Sequence, residues 1–232
     1  GSLTALLEIP DSREALAAVL GQVLAAISQT AAPDTSLKNF VRYVQSVDDP
    51  VESLRFLAVH PRAVAFLSRL FVSSQFLGDM LIRHPSYLRR MTESKRLAEI
   101  KTCEDFCRDL LGAVEAGDTL DERYDAIRRV HRWELLRIAA CDSFGLMDLT
   151  RVTRQLSHLA DATVRSLLAV ITSGDEDPRE GAACKSGLAV LALGKLGGEE
   201  LNYSSDIDLV LVAANGDLQQ QTRVAQQLAR EL

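Results

Sequence analysis

The chain has 232 residues, enough for one large or two small domains with a real core, and 47 % of them are apolar while only 5 % are aromatic. Leu and Ala are abundant, which is typical of a mostly helical globular protein. The formal net charge is −6 and no run of Lys or Arg forms a basic patch, so we expect neither a general nucleic-acid binder nor a membrane-surface protein.

Export and disulfide chemistry are also not indicated. No apolar run is long enough to cross a bilayer, and Glu8, Pro10 and Asp11 interrupt the region where an export signal would need an apolar core. The cysteines lack the spacing of a zinc site, and we expect small free thiols in a reducing, cytoplasmic location. They are Cys103, Cys107, Cys141 and Cys184.

Residues 1–172 predict a succession of helices. Pro33, Pro50 and Pro61 each stand where the first turn of a helix tolerates proline. Asp11 and Glu14 have capping-box spacing, so Asp11 is expected to cap the first helix.

Two more helix starts are predicted from capping residues. Ser73 or Ser74 is expected to cap a helix that ends at His84, and Asp148 is expected to cap the most regular helix of the chain. The apolar stripe of that last helix is predicted to be core. Its members are Leu149, Val152, Leu156, Leu159, Leu167 and Val170.

The histidines are predicted to be structural. His60 and His84 each precede a proline at a helix end, and His131 falls on the apolar wedge of the helix that begins near Leu120. His158 and Asp161 flank the core stripe and are expected at the surface or at a hinge. The arginines of the helix from Leu120, including Arg128 and Arg137, are expected to be solvated beside Asp125 and Glu134, although some could face phosphate or an acidic partner.

The pattern changes after residue 172. Glycines, a proline and an acidic cluster predict a linker or loop over 173–187. Two apolar runs of strand length follow, Leu188 to Leu193 and Ile207 to Ala213, with a glycine-rich loop between them. Beyond these, helical spacing from Leu218 predicts a final helix capped by Asp217.

The second run carries a pair of acids. Side chains two positions apart on a strand point to the same face, so the carboxylates of Asp206 and Asp208 can reach one point while Ile207 points into the core. Two converging carboxylates repel each other unless a cation lies between them, and oxygen ligands suit Mg²⁺ or Mn²⁺. The pair therefore predicts a divalent-metal site.

The loop before the acids is suited to an anion. Glycines let backbone N–H groups approach a phosphate closely, and a lysine could neutralise its charge or point to solvent. Two serines stand next to the acids and could orient them or bind phosphate. The predicted nucleotide- and phosphate-binding residues are Gly194, Lys195, Gly197, Gly198, Ser204 and Ser205.

Gly194 is followed by eleven residues and then the acid pair, a spacing that resembles the signature of the polymerase-β-like nucleotidyltransferase superfamily. The sequence GKLGG from Gly194, followed by ELNYSSDIDL from Glu200, is similar to the glutamine synthetase adenylyltransferase family. The runs FVSSQFLGDMLIRHPSYL at 71–88 and WELLRIAA at 133–140 are similar to the helical part of that family. The resemblance covers about residues 50–213.

The resemblance implies an α+β fold, predominantly α, in which a multi-helix region at 1–172 precedes the opening of a nucleotidyltransferase domain at 188–232. It implies metal-dependent transfer of AMP to a tyrosine of glutamine synthetase, or its phosphorolytic removal, by a bifunctional enzyme. Asp206 and Asp208 would be the catalytic metal ligands, with Mg²⁺ or Mn²⁺ as the metal and ATP, ADP and orthophosphate as substrates or products. Glutamine synthetase and a PII-type signalling protein would be the partners.

The superfamily also needs a third carboxylate on a later strand. After Asp208 the chain offers only Asp217 and Glu231, in the predicted turn and helix. We therefore expect a fragment with little or no activity by itself. The acids stand about 200 residues after residue 1, which fits the N-terminal, adenylyl-removing half of the family that the sequence resembles.

Two other classes of protein remain open on the sequence. Another nucleotidyltransferase, such as a uridylyltransferase or a small antibiotic-modifying enzyme, would share Gly194, Asp206 and Asp208 but not the long helical region. A non-catalytic helical docking or regulatory module is the second alternative.

Overall fold

The computed structural model describes residues 6, 8, 10–173, 187–213 and 217–232. Over these residues the fold is predominantly α with one small antiparallel sheet, which confirms the predicted α+β class. Its elements are α1 Ser12–Ser28, α2 Pro33–Ser46, α3 Pro50–Val59, α4 Pro61–Ser73, α5 Gln75–Arg83, α6 Ser86–Glu93, α7 Cys103–Val114, α8 Leu120–Ser143, α9 Leu149–Ser173, β1 Leu188–Leu193, α10 Gly194–Gly197, β2 Asp208–Ala213 and α11 Leu218–Glu231.

The chain divides into two compact units. The first comprises Gly1–Leu97 and Ala139–Leu146, and the second comprises Ala98–Ile138 and Met147–Leu232. Helices α7 and α9 and most of α8 therefore belong to the same unit as the two strands. The predicted linker lies almost wholly at 174–186, outside the described residues, and the division into 1–172, 173–187 and 188–232 stays a prediction.

Prolines set the helix boundaries of the first unit. Helices α2, α3 and α4 begin at Pro33, Pro50 and Pro61, as predicted, because the fixed φ of proline suits the first turn and its missing N–H has no partner to lose there. The helices enclose an aromatic and aliphatic core whose largest fully buried side chains include Phe40, Leu54, Leu57, Leu67, Leu70 and Phe71.

Side-chain caps act at two helix starts of this unit, those of α3 and α5. The Asp49 carboxylate accepts from the Glu52 amide at 2.9 Å, and the Ser74 hydroxyl accepts from the Leu77 amide at 3.3 Å. The predicted cap at Asp11 is wrong: its φ is 58° and its side chain accepts no capping bond. A capping side chain reaches the first-turn amides from an extended backbone, which a left-handed residue does not have.

Helices α7 and α9 pack together in the second unit. Thr102 and Asp105 form a capping box at the start of α7, and Asp148 caps α9 as predicted, accepting from the Arg151 amide at 2.8 Å. The core stripe of α9 is buried except at Leu149, which is 75 % exposed because it stands at the first position of the helix, beyond the packed part. The buried members are Val152, Leu156, Leu159, Leu167 and Val170.

A buried ionic network replaces the predicted solvation of Arg137 and Glu134. The Arg137 Nε donates to Glu134 Oε2 at 2.6 Å, and both side chains are nearly inaccessible. Lys101 Nζ joins them through Glu134 Oε1 at 2.7 Å and also reaches Asp109 at the same distance. The expectation that Arg137 and Glu134 are solvated is therefore wrong. A buried ion pair is tolerated only when further hydrogen bonds satisfy its charges, as the contact of Lys101 with Glu134 does here.

The prediction that His131 is structural is confirmed. Its Nδ1 lies 2.9 Å from Thr163 Oγ1, and the Thr163 hydroxyl donates to the Leu159 carbonyl at 2.8 Å. Because the one hydroxyl proton is used there, His131 Nδ1 carries the hydrogen and donates. Burial, and secondarily the charge of Arg132, lowers the pKa of His131 to about 4.

The other two histidines named at helix ends also lie there. His60 joins α3 to α4, stacks on Phe56 with ring centroids 4.1 Å apart and bonds the Phe56 carbonyl through Nδ1 at 2.8 Å. The backbone N–H of His84 closes α5 on the Met80 carbonyl at 3.0 Å.

The cysteines of the described residues form no disulfide. Cys103, Cys107 and Cys141 are free thiols, and Cys184 lies outside the described part of the chain. No single described helix has both the length and the apolar composition to cross a membrane. Helices α3 and α4 meet that test only as a pair, and they are bent by 108° at their junction.

Candidate active site

Strands β1 and β2 form an antiparallel pair joined by the glycine-rich loop. Leu193 lies opposite Asp208, and Leu191 lies opposite Val210. Strand β1 has the predicted bounds, whereas β2 begins at Asp208, one residue after the predicted start. The pairing starts there because the residue after Leu193 is Gly194, whose left-handed backbone leaves the strand.

The two predicted acids lie on the exposed side of the chain. Asp206 and Asp208 are exposed, while Ile207 between them and Leu209 after them are partly buried. The alternation of exposed and partly buried side chains that is expected of an extended chain therefore already includes Asp206, before the paired strand begins. Asp206 itself precedes the paired part of the sheet.

The glycine turn and the second acid are in direct contact. Gly194 has φ +55°, and a Cβ atom on it would lie 2.7 Å from Oδ2 of Asp208. A real Cβ does not approach an oxygen so closely, so only glycine leaves room for this carboxylate. Gly194 and Asp208, the first glycine and the last acid of the sequence motif, are thus close neighbours in the fold.

The other two glycines of the turn have different surroundings. A Cβ on Gly197 would lie 2.6 Å from the Ala192 carbonyl oxygen, whereas on Gly198 it would have only ordinary contacts, the nearest at 3.6 Å. Backbone hydrogen bonds close the turn, and one of them runs from the Gly198 N–H to the Gly194 carbonyl at 3.1 Å. The structure brings Gly194, Gly197 and Gly198 together within one helical turn.

Lys195 and the serines form a small network after the turn. Lys195 Nζ donates to Ser205 Oγ at 3.4 Å, and the Asn202 amide donates to the same oxygen at 3.2 Å. The Ser204 amide donates to the Asn202 side chain at 3.0 Å, and Ser204 is exposed. Ser205 thus orders the loop that leads to Asp206.

The acids fit a hard divalent cation as part of its ligand set. The nearby ion pair at the turn is formed by Glu199 and not by either aspartate. Exposed carboxylates on one side of the chain offer the oxygen atoms that Mg²⁺ and Mn²⁺ prefer. The described residues contain no group of three or more His, Cys, Asp or Glu placed to hold a metal, so Asp206 and Asp208 would supply only part of the coordination.

Helix α9 supports the glycine turn through contacts that the sequence did not predict. Arg154 Nε lies 3.2 Å from Glu199 Oε2, His158 Nε2 lies 3.8 Å from Glu199 Oε1, and the Leu201 amide donates to Ser157 Oγ at 3.2 Å. His158 was expected at the surface or at a hinge, and it is half-buried. Arg154, Ser157 and His158 are spaced by three and four residues, so the sequence places them on one face of α9. Nothing in the sequence indicates that the loop packs against this face.

A further carboxylate lies along this face of α9. Burial raises the pKa of Asp161, and Arg165 and then His158 act in the opposite direction. The face of α9 next to the turn therefore carries charges of both signs.

An apolar strand, a glycine turn and a carboxylate at the start of the returning strand reproduce the order found in polymerase-β-like nucleotidyltransferases. Residues 64–230, well over half of the chain, match the family model described as Glutamate-ammonia ligase adenylyltransferase. The chain belongs to this family.

Three relatives show the extent of the similarity. All are bifunctional glutamine synthetase adenylyltransferase/adenylyl-removing enzymes. That of Streptomyces avermitilis is 34 % identical over 90 % of this chain and 21 % of its own length. That of Idiomarina loihiensis is 30 % identical over 88 % and 22 %, and that of Nitrosococcus oceani 29 % over 82 % and 20 %. The chain thus spans about a fifth of the length of these relatives.

Proposed function

We propose that this chain contributes the glycine turn and two metal-binding carboxylates to a bifunctional glutamine synthetase adenylyltransferase/adenylyl-removing enzyme. The reaction is transfer of AMP to a tyrosine of glutamine synthetase, or its removal by phosphorolysis. The observation that carries the proposal is the contact between Gly194 and Asp208 inside the segment that matches the family. Membership of that family and the names of the relatives supply the substrate.

Each part of the site has a separate role in the proposal. Asp206 and Asp208 hold Mg²⁺ or Mn²⁺, which when bound would polarise phosphoryl oxygen and stabilise negative charge on it. The backbone amides of Gly194 and Gly197 face the nucleotide's phosphates, and Lys195 adds a positive charge. The predicted phosphate contact of Gly198 is not made by its amide, which donates to the Gly194 carbonyl at 3.1 Å. Ser205 keeps the loop ordered, and Ser204 remains available to phosphate.

Cofactors and partners follow from the same proposal. ATP is the AMP donor in one direction, and orthophosphate is the acceptor that yields ADP in the other. We propose glutamine synthetase and a PII-type signalling protein as partners, and the adenylyl-removing half as the origin of this chain, with a cytoplasmic location. No role for nucleic acid or a membrane is proposed.

Metal binding is the first test. Titration of the chain with Mn²⁺, followed by the loss of the free-ion electron paramagnetic resonance signal, should show binding that Asp206→Asn and Asp208→Asn each weaken strongly, because each removes a charged ligand. Asp121→Asn, which neutralises an exposed carboxylate on α8 of the same unit, is the matched control. Equal binding by all four proteins would refute the metal site.

Activity is the second test. In the whole enzyme containing this chain, incubation of adenylylated glutamine synthetase with orthophosphate and Mg²⁺ should release ADP, and incubation of unmodified glutamine synthetase with ATP should add AMP. Substitution of Asp208 by Asn should abolish one of these reactions and leave the other. Loss of neither reaction would reject a catalytic role for the acid pair, and transfer of UMP in place of AMP would favour a uridylyltransferase.

A further inference from the structure

Glu199 adopts a backbone conformation that few residues with a side chain accept. Its φ is +56°, and it follows Gly198 directly, at the point where the chain leaves the glycine turn. In the left-handed region the Cβ atom of an L-residue crowds the backbone, so the conformation has an energetic cost. Two backbone bonds of the Schellman type offset part of that cost, from the Glu199 N–H to the Leu196 carbonyl at 3.1 Å and from the Glu200 N–H to the Lys195 carbonyl at 2.8 Å. Only one other residue among those described, Asp11, is non-glycine with a positive φ.

Two side chains of α9 add to this from outside the turn. Arg154 Nε forms an ion pair with one carboxylate oxygen of Glu199 at 3.2 Å, and His158 Nε2 lies 3.8 Å from the other oxygen. His158 is itself fixed, since its Nδ1 lies 3.3 Å from the Lys101 carbonyl. Arg154 and His158 are four residues apart and therefore stand on one face of the helix.

Residues on both sides of Glu199 are anchored to the same unit. Leu196 and Leu201 are buried at 3 % and 7 % exposure. The Leu201 amide donates to Ser157 Oγ at 3.2 Å, and Ser157 lies between Arg154 and His158 on α9. The Arg154 ion pair and this hydrogen bond thus hold the exit of the turn, while its entrance is held by the strand pairing at Leu193.

The position of the turn matters because its first residue touches an acid. With Gly194 packed against Asp208, a rotation of the turn about its entrance would change the space open to that carboxylate and the direction of the turn's amides. The contacts at the exit of the turn therefore oppose this rotation, and with it a change in the space open to the Asp208 carboxylate.

We propose that Arg154 and His158 are positioning residues, which hold Glu199 in its left-handed conformation and thereby set the glycine turn against Asp208. The proposal rests on the proposed function for its consequence, the geometry of the metal site, but its structural part is independent of that function. Neither residue touches the reacting groups.

The experiment compares two substitutions at one position. Glu199→Gln removes the ion pair with Arg154 and keeps a side chain that disfavours a positive φ, whereas Glu199→Gly removes the same ion pair but adopts that φ without strain. Amide hydrogen exchange of the segment from Leu196 to Leu201 should accelerate by about two- to fivefold in Glu199→Gln, the factor expected for exposed ion pairs. It should accelerate less in Glu199→Gly, and Mn²⁺ affinity should follow the same order.

The two side chains of α9 that contact Glu199 are tested in the same way. The double substitution of Arg154 and His158 by Gln should reproduce the effect of Glu199→Gln and add nothing to Glu199→Gly. Arg151→Gln is the matched control, because it breaks an exposed pair with Asp148 on the same helix away from the turn, and it should leave both measurements unchanged.

The outcomes separate this proposal from the function on which it rests. Unchanged exchange in Glu199→Gln, or equal acceleration in both Glu199 variants, would overturn the positioning role, and so would altered exchange with unaltered Mn²⁺ affinity. A wild-type chain that binds no Mn²⁺ would overturn the proposed metal site, and the exchange pattern alone would then support or reject the hold on the turn.

Discussion

Gly194 and Gly198 stand four residues apart in one turn and yet have opposite steric requirements. A side chain at Gly194 would need both a left-handed backbone and the space filled by the Asp208 carboxylate, whereas Gly198 has a φ of −89° and open surroundings. Sequence alone treats the three glycines of GKLGG alike, because composition records the residue and not its neighbours. The structure shows that Gly194 and Gly197 are the ones that the backbone requires.

Gly194→Ala should damage the site more than the fold. A left-handed alanine costs about 1–2 kcal/mol of unfolding free energy. The added methyl group must also displace Asp208, so Mn²⁺ affinity should fall by about tenfold or more, the scale seen when a group orienting a metal ligand is lost. Urea unfolding and Mn²⁺ titration measure the two effects.

Gly198→Ala is the comparison for the unfolding measurement, since its new methyl group makes only ordinary contacts. We expect its unfolding midpoint to stay close to that of the unsubstituted chain. A loss as large as that of Gly194→Ala would mean that the turn is intolerant of any side chain, and the argument from Asp208 would fail.

Histidines illustrate what a sequence reveals about single residues. The place of His131 followed from helical periodicity, which fixes the face of a helix on which a residue lies. The role of His158 did not follow, because its partner Glu199 is forty-one positions away in sequence and lies on a loop. Periodicity locates a side chain on its own element and says nothing about which distant loop packs there.

At the scale of elements, local chemistry fixed most helix starts. Proline at the first position and capping at Ser74, Asp148 and Asp217 act within four residues, so they are visible in the sequence. Asp11 had a capping pattern but not the backbone conformation that capping needs. Its neighbour Ser12 instead donates to the Leu6 carbonyl at 2.6 Å, a contact that no local pattern encodes.

Helix α7 contains a glycine that nothing in the structure requires. Gly112 is exposed, lies in the helix interior, and a Cβ atom there would meet no atom within 4 Å. Gly112→Ala should therefore stabilise the chain by about 0.5–1 kcal/mol, through higher helix propensity and a less flexible unfolded state. Denaturant unfolding followed by Trp133 fluorescence would show a higher midpoint.

Gly21→Ala in α1 is the corresponding change in the first unit, and it has equally open surroundings. Gly78→Ala in α5 makes the opposite comparison, since its Cβ would lie 3.2 Å from the Phe71 ring. A destabilised Gly112→Ala would contradict the view that these positions are governed by helix propensity alone.

At the scale of the whole molecule, sequence order and compactness do not coincide. Each unit is assembled from two separate stretches of the chain, and the strands share a unit with α7 and α9. Apolar stripes show that a helix has a buried face, but not which helix covers it. The buried network of Lys101, Glu134 and Arg137 was unpredictable for the same reason, since its parts resemble solvated charges until the fold brings them together.

His131 makes the stability of the molecule depend on pH. Its pKa in the fold, about 4, lies below the ordinary value of 6.5, so the unfolded chain binds the proton first as pH falls. The contribution of this residue is therefore complete above pH 6.5 and decreases between pH 6.5 and 4. The free energy of unfolding should decline by about 3 kcal/mol over that window on account of this group alone.

The measurement is urea unfolding between pH 7 and pH 4.5, for the chain and for His131→Gln. Glutamine keeps a donor for Thr163 but does not titrate, so the carboxylates common to both proteins cancel in the difference. The advantage of the unsubstituted chain over the variant should shrink as the solution becomes more acidic. A constant difference would show that His131 is as easily protonated in the fold as outside it.

The pairing of Leu193 with Asp208 has a consequence for how this segment can change during evolution. Both ends of the loop from Gly194 to Ile207 are held at the sheet, so extra residues inserted near Tyr203 would bulge outwards and leave the glycine beside its acid. A single residue gained or lost within β2, after Asp208, would instead reverse every side chain that follows it and turn the buried face of the strand outwards. Lineages that share this fold should therefore tolerate a change of length near Tyr203 better than a change within the strand.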